Sequence, residues 1–387
     1  MRFEFSDEQE ALRSELRTFA ANELAPHSAE DDRRARFRRE VVGQLAAMGL
    51  LGLRIPEAHG GGAADAVTTG LAHEEIAYAD LNAAYLLLLS SLVGDVLTNA
   101  CDERQQAGFL PPIAAGDAVA ALALTEPDHG SDAAHLRMRA VRDGDGWRLT
   151  GEKTSITLGL HADTALVFAR TGGAEAGGAE AGADGARGVS AFYVTLDDHH
   201  LQRSGFDDLG GRSAGRASLI FDGHPAPAAS LIGGEGEGFV RVMRGFDFSR
   251  ALIALMCLGC AQASLDEAWQ WARDRRTMGR PIGAHQGVAF PLVECQTKVH
   301  MARLLAYEAL WRKDAGLAHA EEAGMVKWFA PVAAVEATHQ ALLTSGHAGY
   351  SSDLAHGRRH ARRHRPRARR RHRPDRPAGR RPPHPGA

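Results

Sequence analysis

Three short strings in this chain gather hydroxyls, guanidinium groups and backbone donors. Residues 123–132 read Ala-Leu-Thr-Glu-Pro-Asp-His-Gly-Ser-Asp. An apolar strand ending in the Thr125 hydroxyl, a turn stiffened by Pro127 and the Gly130-Ser131 pair would offer N–H groups and hydroxyls to carbonyls and phosphates along one edge. A plain strand and turn explains the proline and the glycine, but not the whole string. The second string, 151–157, carries Ser155 and Thr157. Like Thr125, Thr157 also suits an ordinary strand. The third string, 275–286, holds Arg275, Arg276, Thr277, Met278, Arg280 and Gln286. Arg275 and Arg276 also suit the solvated end of a long helix, where cations favour the helix dipole, as the weaker of the two readings. Asp247 and Arg250 flank Ser249 at a spacing that pairs opposite charges on one helix face.

Other candidates carry less. The run 233–238 is not a dinucleotide fingerprint, because its spacing is wrong and its two glutamates would repel a diphosphate; it reads as a turn and helix start. Cys257 and Cys260 form a CxxC inside the apolar run 252–263 with no second pair to complete a metal site, so they read as core cysteines and no metal is expected. Four scattered cysteines do not make a disulfide framework.

The elements that must hold these strings fall into an α+β order. Ser6 with Gln9 has the spacing of a capping box, and Leu12, Leu16, Phe19 and Leu24 recur at helical intervals, with Pro26 expected to close that helix. Helices continue to about 115, broken at Pro56 and at Gly60–Gly62. Short apolar or alternating runs follow at 119–124, 147–150, 165–169, 189–195 and 217–221. The Gly/Ala/acid-rich stretch 172–188 reads as a surface loop between strands. Helical periodicity returns at 237–275, 285–314 and 318–345 with apolar faces wide enough to need partners. The expected domains are therefore an N-terminal helical domain (1–116), a small central β domain (117–232), a C-terminal helical bundle (233–353) and a disordered basic tail (354–387).

With 387 residues and 44% of them hydrophobic, the chain can bury a large core. The formal charge of -3 conceals a division: residues 354–387 hold thirteen arginines and a single acid, Asp375, on an otherwise acidic body. No run is expected to span a bilayer, and the first residues lack a signal-peptide core, so the expected location is cytoplasmic.

Taken together, the strings resemble the acyl-CoA dehydrogenase family. The first is similar to its TEPxxGSD signature, 151–157 to its GxKxWIT segment and 275–286 to its ERxxFGxPI and FQ pattern. Residues 55–61 resemble its PExxGG turn, all in the family's order. The resemblance implies a helical, β, helical fold that binds FAD and an acyl thioester of coenzyme A, assembles as a homodimer or homotetramer, and passes electrons to an electron-transfer flavoprotein or similar acceptor. It places Leu124 and Thr125 at the flavin ring, Thr157 at the flavin N5 edge and Ser131 toward coenzyme A. Arg275, Thr277, Met278 and Gln286 are placed at the FAD diphosphate and adenosine of a neighbouring subunit, where a guanidinium offers a planar fork of donors to paired anionic oxygens. Asp247 and Arg250 are placed near the thioester. Ser155 stands where the family has a flavin-stacking aromatic, so cover for the ring must come from elsewhere. That serine and the string 246–250 resemble cyclohexanecarbonyl-CoA dehydrogenases, which implies a cyclic or branched acyl group.

The resemblance fades after the GGxGYxxD-like turn at 346–353. The family continues with a helix and a YEGT-like motif whose carboxylate removes the substrate α-proton, whereas this chain reads Arg-Arg-His-Ala-Arg-Arg-His from Arg358. Ser249 occupies the position at which other members carry that acid, which leaves the catalytic base unassigned. The Arg, Pro, His, Ala and Gly composition is what a GC-rich gene read out of frame encodes, and sequencing the DNA between the codons for Asp353 and Arg358 tests this. The competing readings are a catalytically impaired flavin and acyl-CoA binder, and a DNA-binding relative using the basic tail. Clustered arginines attract phosphate, but no aromatic residues are interleaved with them, which makes nucleic acid the weaker partner.

Overall fold

The capping box at Ser6 forms. The Ser6 hydroxyl accepts from the Gln9 N–H at 3.2 Å, and Gln9 Oε1 accepts from the Ser6 N–H at 3.1 Å. It opens α1 (Asp7–Phe19). The computed structural model describes residues 4–171, 188–197 and 199–361, with the backbone alone at 240–245. Pro26 does not close the first helix, contrary to expectation. The chain runs through a π turn (Ala20–Leu24) straight into α2 (Ala25–Arg33), with Pro26 in its first turn, where a missing N–H breaks no intrahelical bond. Then come α3 (Arg39–Ala47), α4 (Ala66–Ala79), α5 (Leu81–Ala100) and α6 (Glu103–Ala114). Gly60 turns the chain at φ +81°, and a Cβ on Gly61 would lie 2.0 Å from the Ile55 carbonyl oxygen, so the turn before α4 admits only glycine there.

The β domain comprises β1 (Ala120–Ala123), β2 (Arg139–Asp143), β3 (Gly146–Ile156), β4 (Thr164–Arg170), β5 (Val189–Thr195), β6 (Leu201–Gly205), β7 (Ala217–Ala226) and β8 (Leu231–Ile232). They form one sheet in the order β6-β7-β3-β2-β4-β5-β8, with β1 pairing parallel to β4. The apolar runs read from sequence lie on β1, β3, β4, β5 and β7. β2 and β6 are largely exposed and are held by ladder partners rather than by a pattern of their own. The expected loop joins β4 to β5, and its residues 172–187 lie outside the described residues.

The bundle follows the expected ranges closely: α7 (Gly238–Asp274), a hairpin of β9 (Arg276–Thr277) and β10 (Arg280–Pro281), α8 (Gln286–Asp314) and α9 (Ala320–Thr344). Helices from both ends of the chain share one core, in which Ile76 and Leu81 meet Leu255 and Leu258 of α7 and Val299 and Val326 beyond. Cys257 and Cys260 are buried in it. One face of the sheet packs Leu166, Phe168 and Tyr193 against Val93, Val96 and Leu110 of α5 and α6; Trp147, Phe192 and Phe221 fill the other face.

Two further readings are refined by the structure. Two helical stretches, α5 and Phe246–Asp274, do reach membrane-spanning length and hydropathy, but 89% and 83% of those windows are buried inside the fold, as in core helices. The basic segment does not begin as a disordered tail either. Residues 356–361 are helical, His356 is buried, and Arg359 pairs with Glu267 of α7 at 2.7 Å. Residues 362–387 lie outside the described residues.

Candidate active site

A fully buried lysine organises the site. Lys153 Nζ on β3 lies 2.8 Å from Glu126 Oε1 and donates to the Leu124 carbonyl at 3.0 Å. Glu126 also accepts from the N–H groups of Arg137 (2.6 Å) and Met138 (2.9 Å). Burial pushes the Lys153 ammonium down to about 8, against the pull of Glu126. Burial alone would raise Glu126, but the charge of Lys153 and the three hydrogen bonds outweigh it and hold the carboxyl below its usual range. This pair fastens the turn after β1 to β3. The Thr154 N–H then donates to the Thr125 carbonyl at 2.8 Å, which holds buried Leu124 and half-buried Thr125 against the end of β3, where Ser155 follows in the chain.

Neither member of the pair was singled out from sequence, although a signal existed. A lysine in an alternating strand whose neighbours face a core needs a buried acceptor. The nearest motif supplied an acid at Glu126.

β3 bends at this point. Ser155 adopts φ +59° and Leu158 φ +61°, and the ladder with β7 shifts between Lys153 and Ile156. Such a bulge re-aims side chains at a strand end. Thr157 is buried at 7% exposure, while Ser131 lies exposed in the turn beyond Pro127.

The string on α7 comes to the same region. Phe246 packs against the cluster that contains Leu124, Val93 and Val96. Asp247 and Arg250 form the ion pair their spacing suggested, both half-buried. Ser249 is buried and donates to the Phe246 carbonyl at 3.0 Å. The guanidinium of Arg54 lies 5.1 Å from the Phe248 ring centre and the Lys313 ammonium 4.9 Å from it.

The third string stands apart. Arg275 caps α7, Thr277 pairs with Arg280 across the hairpin, Met278 is 89% exposed at φ +49°, and Gln286 is exposed at the start of α8. Counted along α7 from Ser249, the hairpin is roughly 40 Å away at 1.5 Å per residue. One chain therefore does not bring Arg275 to Thr125. The donor types suit a flavin nucleotide nonetheless: hydroxyls and strand-end backbone beside Thr125 and Thr157 for the polar edge of the ring, and exposed guanidinium groups on the hairpin for a diphosphate.

Family models match in three consecutive pieces: acyl-CoA dehydrogenase, N-terminal domain, at 6–117; middle domain at 121–223; C-terminal domain at 236–368. The chain belongs to the acyl-CoA dehydrogenase family. A relative from Bacillus subtilis (strain 168) named acyl-CoA dehydrogenase is 35% identical over 350 residues, 90% of each chain. The solved structure of butyryl-CoA dehydrogenase from Megasphaera elsdenii matches with a TM-score of 0.89 at 28% identity, over 95% of each chain. A structure described as the electron transferring flavoprotein of Acidaminococcus fermentans matches with a TM-score of 0.89 at 31% identity, also over 95% of each chain. The family's helical, β, helical fold is the one observed, and with it come FAD as cofactor and oxidation of an acyl-CoA thioester as the reaction. The matches support dehydrogenation over the binder-only and DNA-binding alternatives.

Proposed function

We propose that this chain oxidises a short cyclic or branched acyl-CoA across its α,β bond, with the flavin ring beside Leu124, Thr125, Ser155 and Thr157. The observation that carries this reading is the fastening of the 123–132 turn to β3 by Lys153, Glu126 and the Thr154–Thr125 hydrogen bond. It sets two hydroxyl-bearing strand ends together next to the α7 string. FAD bound there supplies the electron sink for the β-hydrogen. The chain's own groups do the rest: backbone donors at the turn hold the thioester carbonyl as charge develops on it, and the apolar wall of Leu124 and Phe246 excludes water. Ser131 lies toward coenzyme A. Asp247 and Arg250 neutralise each other while shaping the acyl end, and the base that removes the α-proton is unassigned, with Ser249 at the position where other members carry an acid.

The hairpin serves a second copy. Arg275, Thr277, Met278 and Gln286 hold the diphosphate and adenosine of a partner's FAD in a homodimer or homotetramer. Two observations support that: the distance along α7, and the exposed apolar residues Phe290, Val293, Met301, Trp311, Met325 and Trp328 on α8 and α9. The working divisions are 1–116, 117–232 and 233–353. The likeness to the Acidaminococcus structure supports an electron-transfer flavoprotein as acceptor, and the protein acts in the cytoplasm.

The test is to purify the full chain, record its flavin spectrum and add cyclohexanecarbonyl-CoA or a short branched acyl-CoA without oxygen. Bleaching of the oxidised flavin band is expected with these thioesters. Bleaching with straight chains only would overturn the acyl assignment, and bound flavin that no acyl-CoA bleaches would overturn the placement of the thioester.

A further inference from the structure

The serine at 155 leaves the family's ring-covering position without an aromatic, and the connection between β6 and β7 fills the space beside it with an ordered stack. Phe206 and Arg216 face each other at the base of that hairpin, where the Phe206 N–H donates to the Arg216 carbonyl at 3.1 Å. The Arg216 guanidinium lies 4.0 Å from the Phe206 ring centre. Its Nε donates to both Asp208 oxygens, at 2.9 and 3.1 Å, and a second nitrogen also meets Asp208. Its remaining end reaches across to β3, where Nη1 donates to the Ser155 hydroxyl at 3.2 Å.

Nothing in this arrangement resembles a solvated surface arginine. The Arg216 side chain is 22% exposed and Asp208 14%. The hairpin tip is itself anchored, because the N–H groups of Gly211 and Arg212 donate to Asp32 of α2. A planar, delocalised cation held flat against a ring can also lie against a second aromatic system.

We propose that Arg216 takes the place of the absent aromatic, contacting the flavin next to Ser155 and setting how readily the bound cofactor is reduced. This rests on the reading that Thr125, Ser155 and Thr157 face the flavin. Two-electron reduction with uptake of one proton leaves one more negative charge on the ring system. A cation alongside favours that form, and the Asp208 carboxylate behind the cation opposes it. The two residues therefore act in opposite directions on the reduction equilibrium, whereas a purely structural clamp would weaken flavin binding in the same way whichever partner is removed.

The experiment is a reductive titration of the FAD-loaded full-length protein against reference dyes. Arg216→Gln should make reduction at least tenfold less favourable, a fall of about 30 mV for two electrons, while Asp208→Asn raises the potential. Shifts of the same sign in both variants, or no shift beyond threefold in either while FAD remains bound, would overturn the proposal. In a Ser155→Trp background the indole displaces the guanidinium, so Arg216→Gln should no longer move the potential; a persistent shift there also counts against it. FAD stoichiometry reads the underlying assumption separately: a wild-type chain that takes up no FAD sinks the flavin placement, and the proposal with it.

Discussion

Lys153 Nζ and Glu126 Oε1 stand 2.8 Å apart in the protein interior, joining residues 27 positions apart in sequence. Removing one partner strands the other as a buried charge, which costs about 3–5 kcal/mol, whereas removing both is far milder. Lys153→Met should therefore lower the thermal unfolding temperature sharply and release FAD, and the double variant Lys153→Met/Glu126→Gln should recover much of the loss. A single variant as stable as wild type would show that the pair does not fasten the turn.

Long-range pairing of this kind is where the sequence falls silent. The helices α7, α8 and α9 were legible to within a few residues because their apolar faces repeat over many turns. The Ser6 cap was legible because its partners are three residues apart. Pro26 misled because a proline signals a break and a first turn equally well, and only the π turn before it decides between them. The placement of Thr125 beside Ser155 followed from family resemblance, not from periodicity, since a hydroxyl on a strand end announces neither its face nor its neighbour. Arg216 carried no signal at all: its meaning lies in Phe206, Asp208 and Ser155, which come together only when three strands are laid side by side.

Acid should find a weak point at His73. It is fully buried on α4, its Nδ1 2.7 Å from the Thr69 carbonyl, and burial pushes its pKa down to about 4 against the help of backbone hydrogen bonds. The unfolded chain takes up this proton near pH 6.5 and the folded one only near 4. Stability present above 6.5 is thus lost as pH falls through that window, by about 3 kcal/mol in all. Thermal unfolding of His73→Gln should show a shallower decline than wild type between pH 6.5 and 4; parallel curves would place the sensitivity elsewhere.

Two helical glycines should respond in opposite ways. A Cβ on Gly259 of α7 would lie 2.1 Å from the Glu74 carbonyl oxygen of α4, so Gly259→Ala must push the two helices apart and should cost about 1–3 kcal/mol. Gly324 of α9 has nothing within 4 Å of its Cβ position, and Gly324→Ala should stabilise by up to about 1 kcal/mol. Chemical denaturation of both variants checks the pair, and a tolerated alanine at 259 would contradict the close approach.

Ser249 offers a gain of function. Under the proposed placement of the thioester, Ser249→Glu sets a carboxylate beside the substrate α-carbon, and a positioned base contributes about 10²–10⁴ in rate. Stopped-flow bleaching of the flavin by acyl-CoA should accelerate within that range. An unchanged rate with bound substrate would mean that residue 249 faces away from the reacting carbon.

The 37-residue helix α7 has a consequence for how this protein can vary. It carries the thioester string near one end and the nucleotide-holding hairpin at the other, so in the proposed assembly it acts as a ruler between a subunit's own catalytic centre and the one it completes next door. One residue inserted in its middle would advance the hairpin by about 1.5 Å and swing it by roughly 100°, taking Arg275 off its target in the neighbour and turning the buried residues Leu265, Ala268 and Ala272 out of the subunit's own core. Length change within α7 is therefore prohibitive twice over, once for the core of the subunit that carries it and once for the cofactor site which that subunit completes in its neighbour.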